Sequence, residues 1–272
     1  MERQITTFAN RAELDKARAA LERLGLPYDV LTPEPAYRAV GVPALVLSAE
    51  AVAALTRQAH DAFVASGWID FRPPPAPVPD SEPPAFAEDL FGRCAIMLLA
   101  PCVADARKLR LIAHLGGDLA AVMPYLNAEM PHAMYNHEAD TFTFMENYRM
   151  ISLYPRRLTL AKADDIVDAW RVLESLRCLV NRTWARRQEI TPSTTLRRKP
   201  PALEIYKRLP GTNCRQCGEM TCMAFAMRLW NGDLAPAQCK PVFQGAYPQL
   251  KEPLLAICTG LGLASGADTS AS

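Results

Sequence analysis

The first 72 residues alternate between apolar positions at helical spacing and short apolar runs of strand length. Residues 11–24 show the helical pattern, with Asn10 as the predicted N-cap and Gly25 as the stop. Ser48 is the predicted cap of a second helix at 49–66. Strands are predicted at 5–8, 28–31 and 40–47. The resulting β-α-β-β-α order has no catalytic spacing and indicates a small α/β domain for docking or packing.

A proline run separates this region from the next one. Residues 73–84 read PPPAPVPDSEPP and contain seven prolines. Prolines at this density favour the extended polyproline II conformation, which has no internal hydrogen bonds and behaves as a semi-rigid spacer. The sequence therefore predicts a linker over residues 73–85.

The hydrophobic pattern after the linker contains both strand-like and helix-like segments. The continuous apolar run 94–100 predicts a strand buried on both faces. The longest helical pattern covers 164–187, and a hairpin is predicted with its turn at Glu146-Asn147. The other predicted elements are helices at 105–115 and 119–130 and the hairpin strands at 141–145 and 148–154. This region is therefore predicted to be α+β or α/β.

These patterns divide the 272 residues into two small mixed α/β or α+β domains followed by a small helical module. The predicted parts are a small α/β domain at 1–72, the linker at 73–85, an α+β domain at 86–190, a polar connector at 191–200, a cysteine module at 201–250 and a C-terminal tail at 251–272, with its end frayed.

Composition excludes several classes of function. The net charge is +1, so no overall positive field favours nucleic acid or an anionic membrane. The longest apolar run is too short to span a bilayer, and the polar start Met1-Glu2-Arg3-Gln4 lacks the apolar core of a secretory signal. We therefore expect a cytoplasmic protein, where a reducing environment keeps thiols available for metals.

Half of the eight cysteines lie in one short segment with the spacing C-x2-C-x4-C-x16-C: Cys214, Cys217, Cys222 and Cys239. Four thiolates that converge on one point are typical of an iron–sulfur cluster or a structural zinc ion. Zinc ribbons usually carry two short knuckles, whereas this segment has a single C-x2-C, which favours a [4Fe-4S] cluster. A thioredoxin-like redox pair and unliganded buried cysteines are the remaining alternatives.

The residues around the cysteines suit a charged inorganic core. Glycines flank the first pair and allow the backbone to curl and direct its N–H groups inward. Cys222 opens a predicted helix, whose first N–H groups favour negative charge. Arg215 and Lys240 are next to cysteines and supply positive charge. We therefore expect an electrostatically compensated site.

Residues 201–241 closely resemble the four-cysteine [4Fe-4S] domain of the corrinoid iron–sulfur protein large subunit. The shared words are ALEIYKRLPGTNC, CRQCGEMTC and CMAFAMRL, followed by the last cysteine. The resemblance implies that Cys214, Cys217, Cys222 and Cys239 are the cluster ligands. In that family the domain passes low-potential electrons to a cobalamin whose cobalt has been oxidised. The family's corrinoid-holding barrel has no counterpart in this sequence, so the resemblance implies a cluster and not a cobalamin.

Other candidate residues are more isolated. Cys102 follows a predicted strand and precedes a predicted helix, a position that suits an exposed thiol of lowered pKa, but a small core residue is the favoured interpretation. His132 and His137 lie near Glu138, but a spacing of five is poor for one helical face and for a metal site. The three cysteines without partners at ligand spacing are predicted core residues: Cys94, Cys178 and Cys258.

The basic residues near the connector form two groups, Arg186-Arg187 and Arg197-Arg198-Lys199. A solvated, flexible segment explains them better than a nucleic-acid patch does. They are also suited to docking an acidic redox partner.

Three functional hypotheses follow. The first is an electron-transfer or reductive-activation accessory to a metalloenzyme or corrinoid enzyme, with a redox protein or metalloenzyme as partner. The second is a maturation or delivery factor for a metallocofactor, which uses Cys102 or the cluster. The third is an interaction scaffold with a structural cluster or zinc. A free-standing enzyme is not expected, because the sequence offers no acid–base set. The arrangement of two small domains ahead of a cluster domain also resembles iron–sulfur proteins of anaerobic metabolism.

Overall fold

A computed structural model describes residues 3–73 and 81–263, the side chains of residues 58–62 excepted. In these residues the chain is a mixed α/β protein with two antiparallel sheets and eight α-helices, which confirms the predicted mixture of elements. None of the described helices is both long and apolar enough to cross a membrane.

The first sheet has the strand order β2-β3-β1-β4. Its strands are β1 (Arg3–Thr6), β2 (Tyr28–Leu31), β3 (Ala44–Ser48) and β4 (Ile69–Asp70). The register pairs Ile5 of β1 with Val46 of β3 and with Ile69 of β4. Helices α1 (Arg11–Leu24) and α2 (Ala49–Ala62) follow β1 and β3, which confirms the predicted β-α-β-β-α order.

Both predicted helix starts in this region are confirmed. The Asn10 side chain accepts a hydrogen bond from the Glu13 N–H at 3.0 Å, and the Ser48 hydroxyl accepts one from the Ala51 N–H at 3.3 Å. Gly25 ends α1 with a φ of 66°, a left-handed conformation that a glycine adopts without strain. The second helix is shorter than predicted and ends at Ala62.

The second sheet has the strand order β5-β6-β10-β9-β8-β7. Its strands are β5 (Cys94–Pro101), β6 (Leu109–Leu115), β7 (Met134–Asn136), β8 (Thr141–Glu146), β9 (Arg149–Tyr154) and β10 (Arg157–Ala163). The predicted hairpin of β8 and β9 is confirmed. Its turn places Asn147 at a φ of 54°, which asparagine tolerates better than most residues.

Two predictions in this sheet are wrong. Residues 105–115 were expected to form a helix, but 109–115 form strand β6. Alternate residues of that strand are buried, which is the two-residue period of a sheet with one covered face. Strand β5 was expected to be buried on both faces, but it lies at the sheet edge and leaves Met97 40% exposed. Strand β10 was not predicted.

The two remaining helices near this sheet were predicted with partial accuracy. The long helix α4 (Ile166–Ala185) is confirmed, and its N-cap Asp165 accepts hydrogen bonds from Val167 and Asp168 at 2.8 and 2.9 Å. Helix α3 (Met123–Glu129) covers only the end of the segment predicted at 119–130.

The described chain divides into two compact units, Met1–Val122 with Leu153–Glu189, and Met123–Ser152 with Ile190–Ser272. The second unit contains the cysteine module. The module's helices are α5 (Ala202–Tyr206), α6 (Cys222–Trp230), α7 (Lys240–Phe243) and α8 (Lys251–Gly260). Residues 74–80 of the proline-rich segment and 264–272 of the tail lie outside the described residues. The predicted linker and domain boundaries therefore stay predictions.

Candidate metal centre

A small apolar core supports the cysteine module. Helix α6 contributes Phe225, Ala226 and Leu229, and helix α8 contributes Leu254 and Cys258. Burying these side chains stabilises the module by about 25 cal/mol for each Å² of apolar surface removed from water. Further core members are Ile205, Leu209, Cys239, Val242, Leu261 and Leu263. This core fixes the positions from which the cysteines project.

The loop that carries the first two cysteines is tightly curled. Four of its residues have positive φ: Gly211 (70°), Asn213 (50°), Arg215 (61°) and Gly218 (87°). Left-handed residues turn the chain sharply, and two of the four are glycines, which adopt this conformation at little cost. The Gly218 N–H donates to the Arg215 carbonyl oxygen at 3.0 Å and closes the turn around Cys217.

Helix α6 begins at Cys222 and is capped by two side chains. The Thr221 hydroxyl accepts a hydrogen bond from the Ala224 N–H at 3.0 Å. The Asn213 side-chain oxygen accepts one from the Cys222 N–H at 2.8 Å. The second bond joins the curled loop directly to the helix that presents the third cysteine. It satisfies an N–H group that a helix cannot satisfy internally.

The fourth cysteine returns to the same place after helix α6. Cys239 follows a 3-10 turn over Pro236–Gln238 and is 5% exposed. Its carbonyl oxygen accepts hydrogen bonds from the Val242 and Phe243 N–H groups at 3.0 and 3.1 Å. These bonds set the start of α7 against the cysteine, so that residue is held by both burial and backbone hydrogen bonding.

All four predicted cysteines line one small cavity. Cys214 is exposed at its edge, Cys217 and Cys222 are half-buried, and Cys239 is buried. Leu209, Phe225 and Pro241 give the cavity an apolar side, while other lining residues come from the curled loop and the start of α6: Pro210, Thr212, Asn213, Arg215, Glu219 and Thr221. The structure therefore brings the predicted set together.

The thiols influence one another electrostatically. The pKa of the Cys239 thiol is raised to about 11, mainly by burial, and the nearby Cys217, Cys222 and Cys214 raise it further. A hydrogen bond from the Val242 N–H acts in the opposite direction. Four thiolates in one cavity repel each other unless positive charge lies between them, and a metal centre supplies that charge.

The donor set suits a metal centre. Four cysteine thiolates are the ligands of [4Fe-4S] clusters and of structural zinc sites, so the arrangement fits either kind of centre.

The further thiol singled out by sequence, Cys102, is a buried residue. It is 6% exposed, which agrees with the favoured interpretation of a small core residue and not with an exposed functional thiol. A turn follows it in place of the predicted helix, and its N–H donates to the Lys108 carbonyl oxygen at 2.9 Å. The residue lies in unit Met1–Val122 with Leu153–Glu189, whereas the four module cysteines lie in the other unit.

The other candidate cysteines and histidines are either buried or in contact with neighbouring side chains. Cys94 and Cys258 are buried, as predicted, while Cys178 is half-buried and donates to the Glu174 carboxylate at 3.4 Å. His132 packs edge-on against Phe144, with ring centroids 6.3 Å apart. The His137 ring is hydrogen-bonded to the Tyr135 hydroxyl at 2.9 Å.

The connector at 191–200 is held in place, contrary to the expectation of a flexible segment. Asn127, which is fully buried, donates to the carbonyl oxygens of Ser193 and Thr195 at 2.8 and 3.1 Å. The Arg197 guanidinium donates to the Asn127 carbonyl and side-chain oxygens at 2.6 and 2.7 Å. Lys199 donates to the Trp230 carbonyl oxygen at 3.0 Å. Two of the connector's basic residues therefore have structural partners.

Asn213 is the residue of this site that sequence reasoning missed. Its signal was an asparagine in a glycine-flanked loop, because asparagine adopts positive φ more readily than most other non-glycine residues. The side-chain hydrogen bond to Cys222 spans nine residues and was not visible in the sequence pattern.

Known proteins share the sequence of the cysteine module. Residues 209–241 match a family model described as "Putative Fe-S cluster". The module is 58% identical over 40 residues to the gamma 2 subunit of the acetyl-CoA decarbonylase/synthase complex of Methanosarcina thermophila, 15% of this chain and 8% of that protein. It is 48% identical over 48 residues to the corrinoid/iron-sulfur protein large subunit of Moorella thermoacetica, 18% of this chain and 11% of that protein.

A third relative is the gamma subunit of the acetyl-CoA decarbonylase/synthase complex of Archaeoglobus fulgidus, 43% identical over 54 residues, 19% of this chain and 12% of that protein. The matched part thus spans about a tenth of these relatives. No solved structure matches the chain significantly. The comparisons support an iron–sulfur cofactor in the module, and the resemblance to the corrinoid iron–sulfur protein large subunit is confirmed for this segment.

Proposed function

We propose that this chain binds one [4Fe-4S] cluster through Cys214, Cys217, Cys222 and Cys239 and serves as an electron-transfer or reductive-activation accessory to a metalloenzyme or corrinoid enzyme. The observation that carries the proposal is the single cavity lined by all four thiols. It lies inside the segment that matches the iron–sulfur family model.

The proposed ligands project from different parts of the module. Cys239 comes from the buried core, Cys222 from the first turn of α6, and Cys217 from the closed turn of the loop. Their thiols must lose protons to become ligands. When bound, such a cluster supplies one-electron transfer at a potential set by hydrogen bonds to sulfur and by solvent exposure.

The graded exposure of the ligands suits transfer to another protein. Cys214 is exposed whereas Cys239 is buried, so one edge of the site faces solvent and the opposite edge faces the apolar core. A redox partner therefore reaches the site from the Cys214 side. Arg215 is exposed beside this cysteine, and its positive charge favours an acidic partner surface.

The names of the relatives indicate a class of partner. Two are subunits of acetyl-CoA decarbonylase/synthase complexes and one is a corrinoid/iron-sulfur protein. We propose by analogy that the partner is a metalloenzyme or a corrinoid protein in a reducing cytoplasm. The analogy rests on the module, which is the part that these proteins share.

The direct test is anaerobic purification followed by analysis for iron, sulfide and zinc. We expect about four irons and four sulfides per chain, a broad visible absorbance, and a half-integer-spin EPR signal after reduction with dithionite. Reversible cycling between oxidised and reduced states without loss of iron supports the electron-transfer function. One zinc per chain, or a cluster that no low-potential donor reduces, contradicts it and favours a structural site.

A further inference from the structure

We propose that Asn213 is a positioning residue that fixes the Cys214 loop to the start of helix α6 and so controls how long the module retains its metal centre. The inference rests on the proposed cluster function and assigns a role to a residue that is not itself a ligand. Its basis is one hydrogen bond and one backbone conformation, both at the same residue.

The hydrogen bond links two ligand-bearing segments. The Asn213 side-chain oxygen lies 2.8 Å from the Cys222 nitrogen, which donates to it. Asn213 directly precedes Cys214 in the chain, so this bond ties the backbone at one proposed ligand to the backbone at another. Both cysteines and Asn213 line the same cavity. Loss of the bond therefore frees the first proposed ligand to move relative to the third.

The backbone conformation restricts which residue serves here. Asn213 has a φ of 50°, in the left-handed region. Asparagine and aspartate occupy this region more readily than other non-glycine residues. Glycine also accepts it but offers no side-chain acceptor. Asparagine therefore combines the required φ with a neutral hydrogen-bond acceptor.

Two simpler roles explain Asn213 less well. Its bond to the Cys222 N–H adds to the cap that Thr221 forms with the Ala224 N–H at 3.0 Å, so helix α6 keeps a side-chain cap when Asn213 is changed. It does not contribute to the core, because its side chain is exposed. Changing it should thus affect the metal site far more than the fold of the module.

The effect expected from this geometry is kinetic retention of the cofactor. Residues that hydrogen-bond and orient metal ligands typically change metal affinity by about 10–100-fold when they are removed. We expect Asn213→Gly, which keeps the permitted φ and removes the acceptor, to lose its cluster about 10–100-fold faster than wild type in the presence of EDTA. Far-UV circular dichroism and thermal unfolding of the metal-free protein should stay close to wild type.

Asn213→Asp is the conservative variant, since aspartate tolerates the φ and keeps an acceptor for the Cys222 N–H. It should restore retention close to the wild-type rate. Its added negative charge beside the cluster should also lower the midpoint potential. Gln216→Ala is the matched control, because Gln216 is an exposed residue of the same loop, and it should leave both the rate and the potential unchanged.

The experiment is anaerobic reconstitution of the full chain with ferrous iron and sulfide, followed by EDTA challenge and visible absorbance with time. Slower loss from Asn213→Asp than from Asn213→Gly supports the inference. Equal retention by Asn213→Gly and wild type overturns it, and so does loss from Asn213→Asp as fast as from Asn213→Gly. Failure of the wild-type chain to take up iron and sulfide instead refutes the proposed function.

Discussion

The ammonium group of Lys199 lies 3.7 Å from the ring centroid of Trp230 and donates a hydrogen bond to the carbonyl oxygen of the same residue at 3.0 Å. The Trp230 indole N–H in turn donates to the Pro200 carbonyl oxygen at 2.8 Å. These contacts join the end of the connector to the end of helix α6, whose first residue is Cys222. The connector therefore contributes to the fold of the module.

Lys199→Ala should lower the free energy of unfolding by about 1–2 kcal/mol, because it removes a half-buried cation–π contact and a hydrogen bond together. Lys207→Ala is the matched control. Lys207 pairs with Glu204 at 2.6 Å, but its side chain is 58% exposed, and such surface pairs contribute about 0–1 kcal/mol. Urea unfolding followed by circular dichroism compares the two. Equal losses for both variants would show that the contact with Trp230 adds nothing.

The sequence specified local features best where one short pattern determines one conformation. The N-caps Asn10 and Ser48 were predicted because their side chains bond within three residues along the chain. The four cysteines were predicted as one set because their spacing is typical of a metal module, and the structure places them around one cavity. Neither conclusion required knowledge of distant contacts.

Features that depend on distant partners were missed. Strand β6 was predicted as part of a helix because five of its seven residues are apolar, which fits the helical as well as the two-residue period, and its pairing with β5 and β10 decided the outcome. The connector's sequence is polar and contains prolines, so a flexible segment was the reasonable expectation. The buried Asn127, some 66 residues away from Ser193, overrides that local preference.

Replacement of a proposed ligand separates the metal site from the rest of the core. Cys217→Ser should abolish most of the visible absorbance and bound iron, because a hydroxyl is a much poorer iron ligand than a thiolate. Cys258→Ala is the matched control. Cys258 belongs to the same core but is not among the residues that line the cavity. Full iron content in Cys217→Ser would contradict the ligand assignment.

Gly232 makes a close backbone approach that excludes any side chain. It follows the C-cap residue of helix α6 with a φ of 75°, and a Cβ there would lie 2.6 Å from the Asn147 carbonyl oxygen and 2.7 Å from the Tyr148 Cα. Gly232→Ala should therefore cost more than about 2 kcal/mol of stability, from left-handed strain and overpacking together. The measurement is urea unfolding of the metal-free protein.

Gly25→Ala is the control for this prediction. Gly25 also has a positive φ, 66°, but within the described chain a Cβ there would meet no atom within 4 Å beyond its sequence neighbours. Its cost should be limited to backbone strain, about 1 kcal/mol. If the two alanine variants were equally stable, the contact with the β8–β9 turn would have no energetic consequence.

His132 should make the stability of the second unit depend on pH. Its ring packs edge-on against Phe144 and lies against Gly262, where a Cβ would come within 2.7 Å of the His132 Cδ2 atom. Burial lowers the pKa of His132, because the charged form loses hydration there. The unfolded chain, with a histidine pKa of about 6.5, therefore binds more protons than the folded chain as the pH falls through this value.

Stability should accordingly be highest above about pH 7 and should decrease as the pH falls through about 6.5 towards the lower pKa of the folded state. His132→Gln should reduce this decrease, since glutamine does not titrate, even if the variant is less stable at every pH. His137→Gln, at an exposed position, should retain the wild-type decrease. The measurement is the free energy of unfolding of the metal-free protein at pH 7.5 and 5.5. The same decrease in wild type and His132→Gln would assign the acid sensitivity to another group.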